Sequence, residues 1–244
     1  MNLIVDIGNS RAKIAVVDNG EIKEQRTVED ISNKDIAEIV ARYPAITRSI
    51  VASTRGNAEE VATQLRSYIH DVMVFTPATT PLPIANRYHT PHTLGADRLA
   101  AAVGVAAMFP ERDIMVVDFG TAITIDYVVD NAFLGGNISP GVTTRFRALA
   151  DYTAKLPLCS PTDAVLEYGR TTIEAIEQGV MRGVEQEIRG YAESFLIKNE
   201  KNCTIFTGGD AKYFVKRIKN AIFADCEPVI FGLDRILEYN AEKL

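Results

Sequence analysis

Two aspartates, Asp6 and Asp118, each stand two positions before a glycine. Asn9 and Ser10 follow the first glycine, and Thr121 follows the second. Glycine permits positive φ and lets another group approach the backbone closely. Short polar side chains and backbone N–H groups at such a turn can line a concavity for anionic oxygens, and the carboxylate can hold a cation or its water shell. This pattern therefore indicates binding of a phosphate-bearing molecule.

Both turns belong to a longer repeat. The sequence IVDIGNSRAKIAVVDN at residues 4–19 matches VVDFGTAITIDYVVDN at residues 116–131, in register and without a gap. The separation is too long for a solenoid period. It predicts two similar halves, each opening with a β-hairpin whose turn carries the aspartate. One such hairpin is usually only a hairpin, but two facing each other would grip the phosphates of a nucleotide from both sides.

A second chemical pattern is the adjacent pair Asp97-Arg98, which follows Gly95. A lone carboxylate there could act as a general base, which contributes roughly 10²- to 10⁴-fold to a rate. The alternative is that Asp97 only caps its helix. Arg98 could bind a substrate carboxylate through a bidentate fork, or it could form a surface salt bridge. The residues alone leave these alternatives open.

Composition limits the class of protein. The chain has 244 residues, of which 47% are hydrophobic, and a net charge of −6 with a pI near 5.2. This acidic balance argues against a nucleic-acid partner, whose binding site would be basic. No stretch reaches the ~18 apolar residues of a membrane span, and the N-terminus reads as a first strand. Three cysteines without metal spacing predict reduced, buried thiols in a cytosolic protein. They are Cys159, Cys203 and Cys226.

Strands alternate with helices along the chain, which predicts an α/β layered fold. Residues 81–93 are expected to form an exposed functional loop. The Ala- and Gly-rich helix that begins near Leu99 should pack closely on a core helix or on a partner subunit. The turn at Thr207-Gly208-Gly209-Asp210 should open a helix and expose N–H groups beside a nucleotide. Further strands are predicted at 21–25, 49–53, 72–75 and 203–206, and helices at 30–43, 58–69, 143–152, 172–197, 211–219 and 233–242.

Together these motifs resemble the phosphate-1, phosphate-2 and adenosine motifs of the actin, Hsp70 and sugar-kinase superfamily. Within it, the chain is similar to type III pantothenate kinases over nearly its whole length. The resemblance implies duplicated ribonuclease-H-like (actin-like ATPase) domains at 1–112 and 113–244, with mixed sheets flanked by helices. The motifs that carry it are Asp6-Ile7-Gly8-Asn9-Ser10 with Lys13, Tyr88 with Pro91, Gly95-Ala96-Asp97-Arg98, Asp118-Phe119-Gly120-Thr121-Ala122, Gly135-Gly136 with Pro140-Gly141, Gly169 with Thr172, and Thr207-Gly208-Gly209.

The resemblance implies ATP-dependent phosphorylation of pantothenate to 4'-phosphopantothenate, the first step of coenzyme A biosynthesis, by a cytoplasmic homodimer with the pantothenate pocket at its interface. It implies Asp97 as the base, Asp6 as a ligand of Mg²⁺ through water, and Asp118 as the ligand of a monovalent cation, K⁺ or NH₄⁺. The implied ATP-binding residues are Asp6, Ile7, Gly8, Asn9, Ser10, Arg11, Ala12, Lys13 and Thr121. The implied pantothenate-binding residues are Tyr88, Gly95, Ala96, Asp97, Arg98 and Thr172, with Thr171 as an alternative to Thr172.

Two other functions compete with this one. A kinase or phosphatase of the same superfamily could act on a sugar or a polyphosphate, although residues 81–93 offer few groups for binding several hydroxyls. A non-enzymatic transcriptional regulator is the other, since members of this family have been described as accessory transcription factors. The acidic charge and the missing basic helix argue against direct DNA binding. His89 and His92 have no third ligand nearby, which argues against a metal site there.

Overall fold

A computed structural model describes residues 1–197, 199–218, 221–223 and 227–242. The chain divides into two compact units. The first unit comprises Met1–Pro110, Asn131–Leu134 and Glu227–Leu244, and the second comprises Glu111–Asp130 and Gly135–Cys226. The C-terminal segment thus packs with the first unit. The predicted domain boundary between residues 112 and 113 follows from the sequence repeat, whereas the two units are defined by packing. That boundary therefore stays a prediction.

The described residues form eleven strands and six α-helices. The strands are β1 (Asn2–Ile7), β2 (Ala12–Asp18), β3 (Glu21–Val28), β4 (Arg48–Ser53), β5 (Asp71–Val74), β6 (Ala85–Asn86), β7 (Ile114–Phe119), β8 (Ala122–Val129), β9 (Ala132–Pro140), β10 (Cys203–Thr207) and β11 (Ala221–Phe223). The helices are α1 (Asn33–Arg42), α2 (Ala58–Leu65), α3 (Ala96–Met108), α4 (Val142–Tyr152), α5 (Thr172–Leu196) and α6 (Pro228–Ala241).

The first unit is built on a mixed sheet in the order β3-β2-β1-β4-β5. Strand β1 pairs antiparallel with β2 and parallel with β4. Side chains alternate between the two faces of a strand, so the faces of β1 meet different helices. Leu3 and Val5 share a buried cluster with residues of α1 and α2, whereas Asn2 donates hydrogen bonds to two carboxylates of α6. Helices therefore flank both faces of this sheet.

The second unit repeats this order. Its strands lie in the order β9-β8-β7-β10-β11, with β7 antiparallel to β8 and parallel to β10. The first residues of β9, which belong to the first unit, pair in parallel with β6. Buried residues of β7, β8, β10, α4 and α5 form the core of the second unit. The predicted duplication, with mixed sheets flanked by helices, is confirmed.

The repeat is not free of gaps in three dimensions. Asn2 pairs with Val17 across the first hairpin. The equivalent residue of the second hairpin, Ile114, pairs with Val128 rather than Val129. The turn of the second hairpin is thus one residue shorter than the turn of the first. The sequence match itself has no gap, but the strand pairings of the two hairpins differ by one residue, because register in a hairpin follows the length of its turn.

Helices α3 and α6 pack backbone against backbone. A Cβ atom at Gly104 would lie 2.0 Å from the carbonyl oxygen of Pro228, and one at Gly232 would lie 1.7 Å from that of Ala100. Small residues on both helices make this approach sterically feasible. The neighbour of the Ala- and Gly-rich helix is therefore a core helix of the same chain.

The segment after Thr207 differs from its prediction. In place of an α-helix over 211–219, residues Ala211–Tyr213 form a 3₁₀ helix followed by turns, and position 219 lies outside the described residues. Ala211 and Phe214 are both fully buried and are joined by a hydrogen bond from the N–H of Phe214 to the carbonyl of Ala211. This i→i+3 bond is the hydrogen-bond pattern of a 3₁₀ helix.

Smaller differences concern α2 and the cysteines. Helix α2 ends at Leu65 rather than near Ile69, because the next turns make i→i+3 bonds such as Tyr68 N–H to Leu65. Cys203 is a buried free thiol, Cys159 is free but only half-buried, and Cys226 lies outside the described residues. Within the described ranges, every helix is too short or too polar to span a bilayer.

Candidate active site

The first aspartate turn lies at the end of β1. Asp6 is 8% exposed and pairs in register with Lys13 of β2. The N–H of Gly8 donates to the carbonyl of Arg11 at 3.0 Å, which closes the turn. Asn9 and Ser10 at its tip are exposed. A nearly buried carboxylate thus stands beside an open, polar turn.

Lys13 has a partner that sequence reasoning missed. Its Nζ lies 2.5 Å from Oε2 of Glu227, the residue before α6, and Gln25 donates to the other oxygen of that carboxylate at 2.9 Å. Both side chains of the ion pair are about one-third exposed, at 33% and 31%. The ammonium group is therefore anchored at one side of the first turn. Local sequence carries no signal for this pair, since the residues are 214 positions apart.

The second aspartate turn is surrounded by glycines from two other segments. Asp118 pairs in register with Thr207 of the parallel strand β10. Gly208 follows with φ of +92°, and a Cβ there would lie 2.3 Å from Oδ1 of Asp118. A Cβ at Gly141 would lie 2.2 Å from the carbonyl oxygen of Gly120. The fold thus brings together the turn at Asp118 and Gly120, the residue Gly141 and the turn at Gly208, three segments that are separated in sequence.

The prediction that a helix N-terminus presents free N–H groups at this turn is wrong. Only a three-residue 3₁₀ helix follows Gly208-Gly209. The N–H of Asp210 donates to the carbonyl of Phe119 at 3.2 Å, and that of Ala211 donates to Gly208 at 3.2 Å. The first bond holds the Gly208 turn against β7, and the second lies within the turn. Any groups that bind a ligand at this position therefore belong to the turn and not to the start of an α-helix.

Asp97 is the second residue of α3, and Gly95 is its N-cap. The carboxylate is half-buried, and its Oδ1 accepts a hydrogen bond from the N–H of Arg98 at 2.8 Å. A Cβ at Gly95 would lie 2.5 Å from the same oxygen. Burial raises the pKa of Asp97, and the hydrogen bond and the charge of Arg98 partly oppose this shift. Asp97 is therefore not the N-cap residue, and it is more basic than an ordinary aspartate.

Arg98 is only 7% exposed, so its side chain is not a solvent-exposed surface group. Its guanidinium carbon lies 5.7 Å from the centre of the Tyr88 ring, within range of a cation–π contact. Tyr88 in turn packs against Phe133 at 6.0 Å between ring centres. The long loop thus places an aromatic ring on a buried cation next to Asp97. A buried guanidinium of this kind suits a carboxylate ligand.

The two threonines at the start of α5 have different environments. Thr171 is the N-cap: its hydroxyl accepts from the N–H of Glu174, and the Glu174 carboxylate accepts from the N–H of Thr171. Thr172 lines a largely apolar cavity of about 660 Å³ between α4 and α5, together with Arg145 and Ile176. Because capping occupies Thr171, Thr172 is the better candidate for contacting a ligand.

The candidate residues are divided between the two units. The first unit carries Asp6, Ile7, Gly8, Asn9, Ser10, Arg11, Ala12, Lys13, Tyr88, Gly95, Ala96, Asp97 and Arg98, and the second carries Asp118, Thr121 and Thr172. In the part of the chain that the structure describes, no three His, Cys, Asp or Glu residues are grouped to hold a metal ion. A cation at Asp6 or Asp118 would therefore need further ligands from other oxygen atoms, such as those of backbone carbonyls, hydroxyls, water or phosphate.

Solved structures with the same fold include a protein with bound ADPNP. The activator of 2-hydroxyisocaproyl-CoA dehydratase from Clostridium difficile, solved with ADPNP, aligns over 99% of this chain and 96% of its own, with a TM-score of 0.56 at 14% identity. A Campylobacter jejuni protein described as a candidate Baf family transcriptional activator aligns over 98% and 99%, with a TM-score of 0.66 at 22% identity. At these identities the likeness establishes the fold only, which is that of the actin-like ATPases.

Sequence relatives are more specific. The family profile described as type III pantothenate kinase matches residues 2–194. A type III pantothenate kinase of Phocaeicola vulgatus is 43% identical over 242 residues, covering 98% of this chain and 99% of its own. That of Porphyromonas gingivalis strain W83 is 39% identical over 243 residues, covering 98% of both chains. With these matches and the duplicated fold, the chain belongs to the type III pantothenate kinase family.

Proposed function

We propose that in this ATP-dependent pantothenate kinase Asp97 is the general base. Its carboxylate takes the proton of the pantothenate hydroxyl as that oxygen forms a bond to the γ-phosphorus of ATP. The bond from this phosphorus to the bridging oxygen of ADP breaks, so the products are 4'-phosphopantothenate and ADP, in the first step of coenzyme A biosynthesis. The observation that carries the proposal is the half-buried Asp97 with a raised pKa beside a buried Arg98. A raised pKa brings a base closer to working pH and makes it more effective.

Arg98 binds the pantothenate carboxylate in this proposal. Its burial supports the role, because a buried guanidinium gains most from an anionic partner with matching bidentate geometry. Tyr88, stacked over Arg98, keeps the guanidinium oriented and offers its own ring to the substrate. Gly95 and Ala96 leave the space beside Asp97 free of bulky side chains, and Thr172 contributes a hydroxyl.

We propose phosphate-binding residues for each unit by itself. In the first unit this involves the Asp6–Lys13 segment, whose exposed tip offers backbone N–H groups and an anchored ammonium group. In the second unit it involves Thr121, which is exposed at the tip of its own turn. Asp6 would hold Mg²⁺ through water and Asp118 a monovalent cation, K⁺ or NH₄⁺. Such cations neutralise phosphate charge.

The homodimer is supported by apolar groups on the surface of the second unit. Leu158, Val165, Tyr168 and Ile173 are 52% to 67% exposed and lie near the cavity that Thr172 lines or in the segment leading to it. A Cβ atom at Gly179, on the same cavity wall, would meet no described heavy atom within 4 Å. A second copy covering this region would explain both features. Analytical ultracentrifugation should therefore give a dimer mass, and a monomer at micromolar concentration would contradict this part.

The central experiment is a coupled assay of ADP production with ATP, Mg²⁺ and pantothenate, with K⁺ or NH₄⁺ present. We expect pantothenate-dependent turnover that falls when Na⁺ replaces the activating cation. A parallel screen of sugars tests the rival kinase function, and a mobility-shift assay at moderate salt tests the regulator. Free thiols at Cys159 and Cys203 agree with a cytoplasmic location. No ADP formation with pantothenate, alongside turnover of a sugar, would reject the proposal.

A further inference from the structure

Arg55 lies just beyond β4 and joins three segments of the first unit. Its Nε donates to the carbonyl oxygen of Gly8 at 2.7 Å, and its Nη1 contacts Oδ1 of Asp30 at 2.6 Å. Nη1 and Nη2 each donate to the carbonyl oxygen of Glu29 at 3.3 Å. The side chain is 24% exposed, although most arginines lie largely in solvent. The guanidinium is therefore a fixed bridge rather than a mobile surface charge.

The bridge acts on the peptide that follows Gly8. A trans peptide unit is planar, so its C=O and its N–H point in opposite directions. The chain has no cis peptide among its described residues. Holding the Gly8 oxygen toward Arg55 therefore directs the N–H of Asn9 away from Arg55, on the opposite side of the turn. A charged donor also polarises the peptide and strengthens its N–H as a donor.

The rest of the turn is held by the same segment of chain. The backbone N–H and the hydroxyl of Thr54 both donate to the carbonyl of Ile7, at 2.9 and 3.2 Å. Two consecutive carbonyls at the end of β1 are thus bound by two consecutive residues after β4. Asn9 lies at the exposed tip directly after the Gly8 carbonyl, so the orientation of its N–H follows from how that carbonyl is held.

We propose that Arg55 is a positioning residue for ATP, which orients the N–H of Asn9 toward the phosphates without touching them. The inference rests on the proposed function of the Gly8 turn as a phosphate-binding turn. Four of the five guanidinium N–H groups are accounted for by the carbonyls of Gly8 and Glu29 and by Asp30. The charge of Arg55 is also paired with Asp30, so its contribution is geometric.

The test compares Arg55→Met, which keeps the length of the side chain and removes its donors, with Arg66→Met as the matched control. Arg66 forms an exposed ion pair with Glu59 on α2 and contacts no residue of the turn in the described structure. We expect Arg55→Met to raise the KM for ATP at least about tenfold, which corresponds to about 1.4 kcal/mol. The KM for pantothenate should stay within about twofold, which corresponds to about 0.4 kcal/mol, and Arg66→Met should leave both KM values unchanged.

Asp30→Asn is the second variant and covers the case in which Arg55→Met fails to fold. It removes the ionic anchor but leaves the bond from Nε to Gly8, so the rise in KM for ATP should be smaller than that of Arg55→Met. Calorimetry of ADPNP binding with Mg²⁺ gives the same comparison without turnover. If Arg55→Met folds and its affinity for ADPNP is unchanged, the inference is overturned. If Arg55→Met does not fold, an unchanged affinity for ADPNP in Asp30→Asn overturns it. If the parent protein binds ADPNP but does not phosphorylate pantothenate, the proposed function fails and the role of Arg55 can still be judged.

Discussion

Gly208 places its α-carbon directly against the carboxylate of Asp118, so that an added Cβ would lie 2.3 Å from Oδ1 and 2.6 Å from the backbone nitrogen of Phe119. The contact is between parallel neighbours β7 and β10, whose register pairs Asp118 with Thr207. The space beside this aspartate is thus set by a residue 90 positions later in the chain.

Gly208→Ala should lower both stability and ATP affinity. The positive φ of +92° and the close contact leave no room for a methyl group, and such strain costs on the order of 1–3 kcal/mol. Gly209→Ala is the matched control, because its Cβ would meet no described atom within 4 Å. Thermal unfolding and the KM for ATP measure the two effects. Equal behaviour of the two variants would contradict the packing described for Asp118.

Asp97→Asn should lower kcat at least ~100-fold while the protein stays folded, because an amide cannot accept the proton. The same substitution also changes the stability of the fold, and the direction of that change follows from the pKa of Asp97. Burial raises the folded-state pKa of Asp97 above its unfolded value. The stabilising contribution of its proton is therefore complete below the unfolded pKa, about 3.9, and is lost as pH rises through the folded pKa.

At pH 7 the raised pKa of Asp97 consequently makes the fold less stable than it is at low pH, and the neutral asparagine removes this penalty. We expect Asp97→Asn to raise Tm at pH 7, with the gain shrinking as the pH approaches 4. Thermal unfolding across this range, with kcat measured on the same samples, checks both parts. Near-normal turnover would eliminate Asp97 as the base, and a lower Tm at pH 7 would show that its carboxylate stabilises the fold.

Thr171→Ala and Thr172→Ala should separate capping from substrate binding. Loss of the N-cap hydroxyl in Thr171→Ala costs about 1 kcal/mol of folding free energy, with little change in the KM for pantothenate. Thr172→Ala removes no cap and should raise that KM while leaving stability nearly unchanged. Urea unfolding and steady-state kinetics give the two quantities. The opposite pattern would assign the substrate contact to Thr171.

Lys13→Met should raise the KM for ATP with a small change in stability. The ion pair with Glu227 is about one-third exposed, and such pairs contribute roughly 0–1 kcal/mol because water screens them. Lys23→Met is the control, since Lys23 forms a comparable pair with Glu21 within β3. Should the two variants have the same KM for ATP, Lys13 serves only to hold the start of α6.

Gly104→Ala should destabilise the first unit strongly, because its Cβ would lie 2.0 Å from the carbonyl oxygen of Pro228. Gly190→Ala is the control within helix α5, where a Cβ would meet no described atom within 4 Å and alanine improves helix propensity by about 1 kcal/mol. Denaturant unfolding should therefore shift in opposite directions for the two variants. A stable Gly104→Ala would mean that α3 and α6 can separate without cost.

Short-range sequence patterns were sufficient to predict much of the fold and the family of this protein. The duplicated Asp-x-Gly hairpins, the small-residue helix after Asp97-Arg98 and the periodicity of α5 each depend on neighbouring residues, whose steric and hydrophobic preferences act locally. These patterns determined the α/β class, the duplication and the family. They failed at Ala211–Tyr213, where a three-residue 3₁₀ helix stands in place of the predicted α-helix.

Only the tertiary structure decided which distant groups meet. It paired Lys13 with Glu227, held the Gly8 carbonyl with Arg55, set Gly208 against Asp118 and returned α6 to the first unit. It also shortened the second turn by one residue relative to the first. Such contacts join residues tens to hundreds of positions apart, and they depend on strand register and helix packing. One sequence carries no local signal of these, because they arise only when separate elements bury their surfaces against each other.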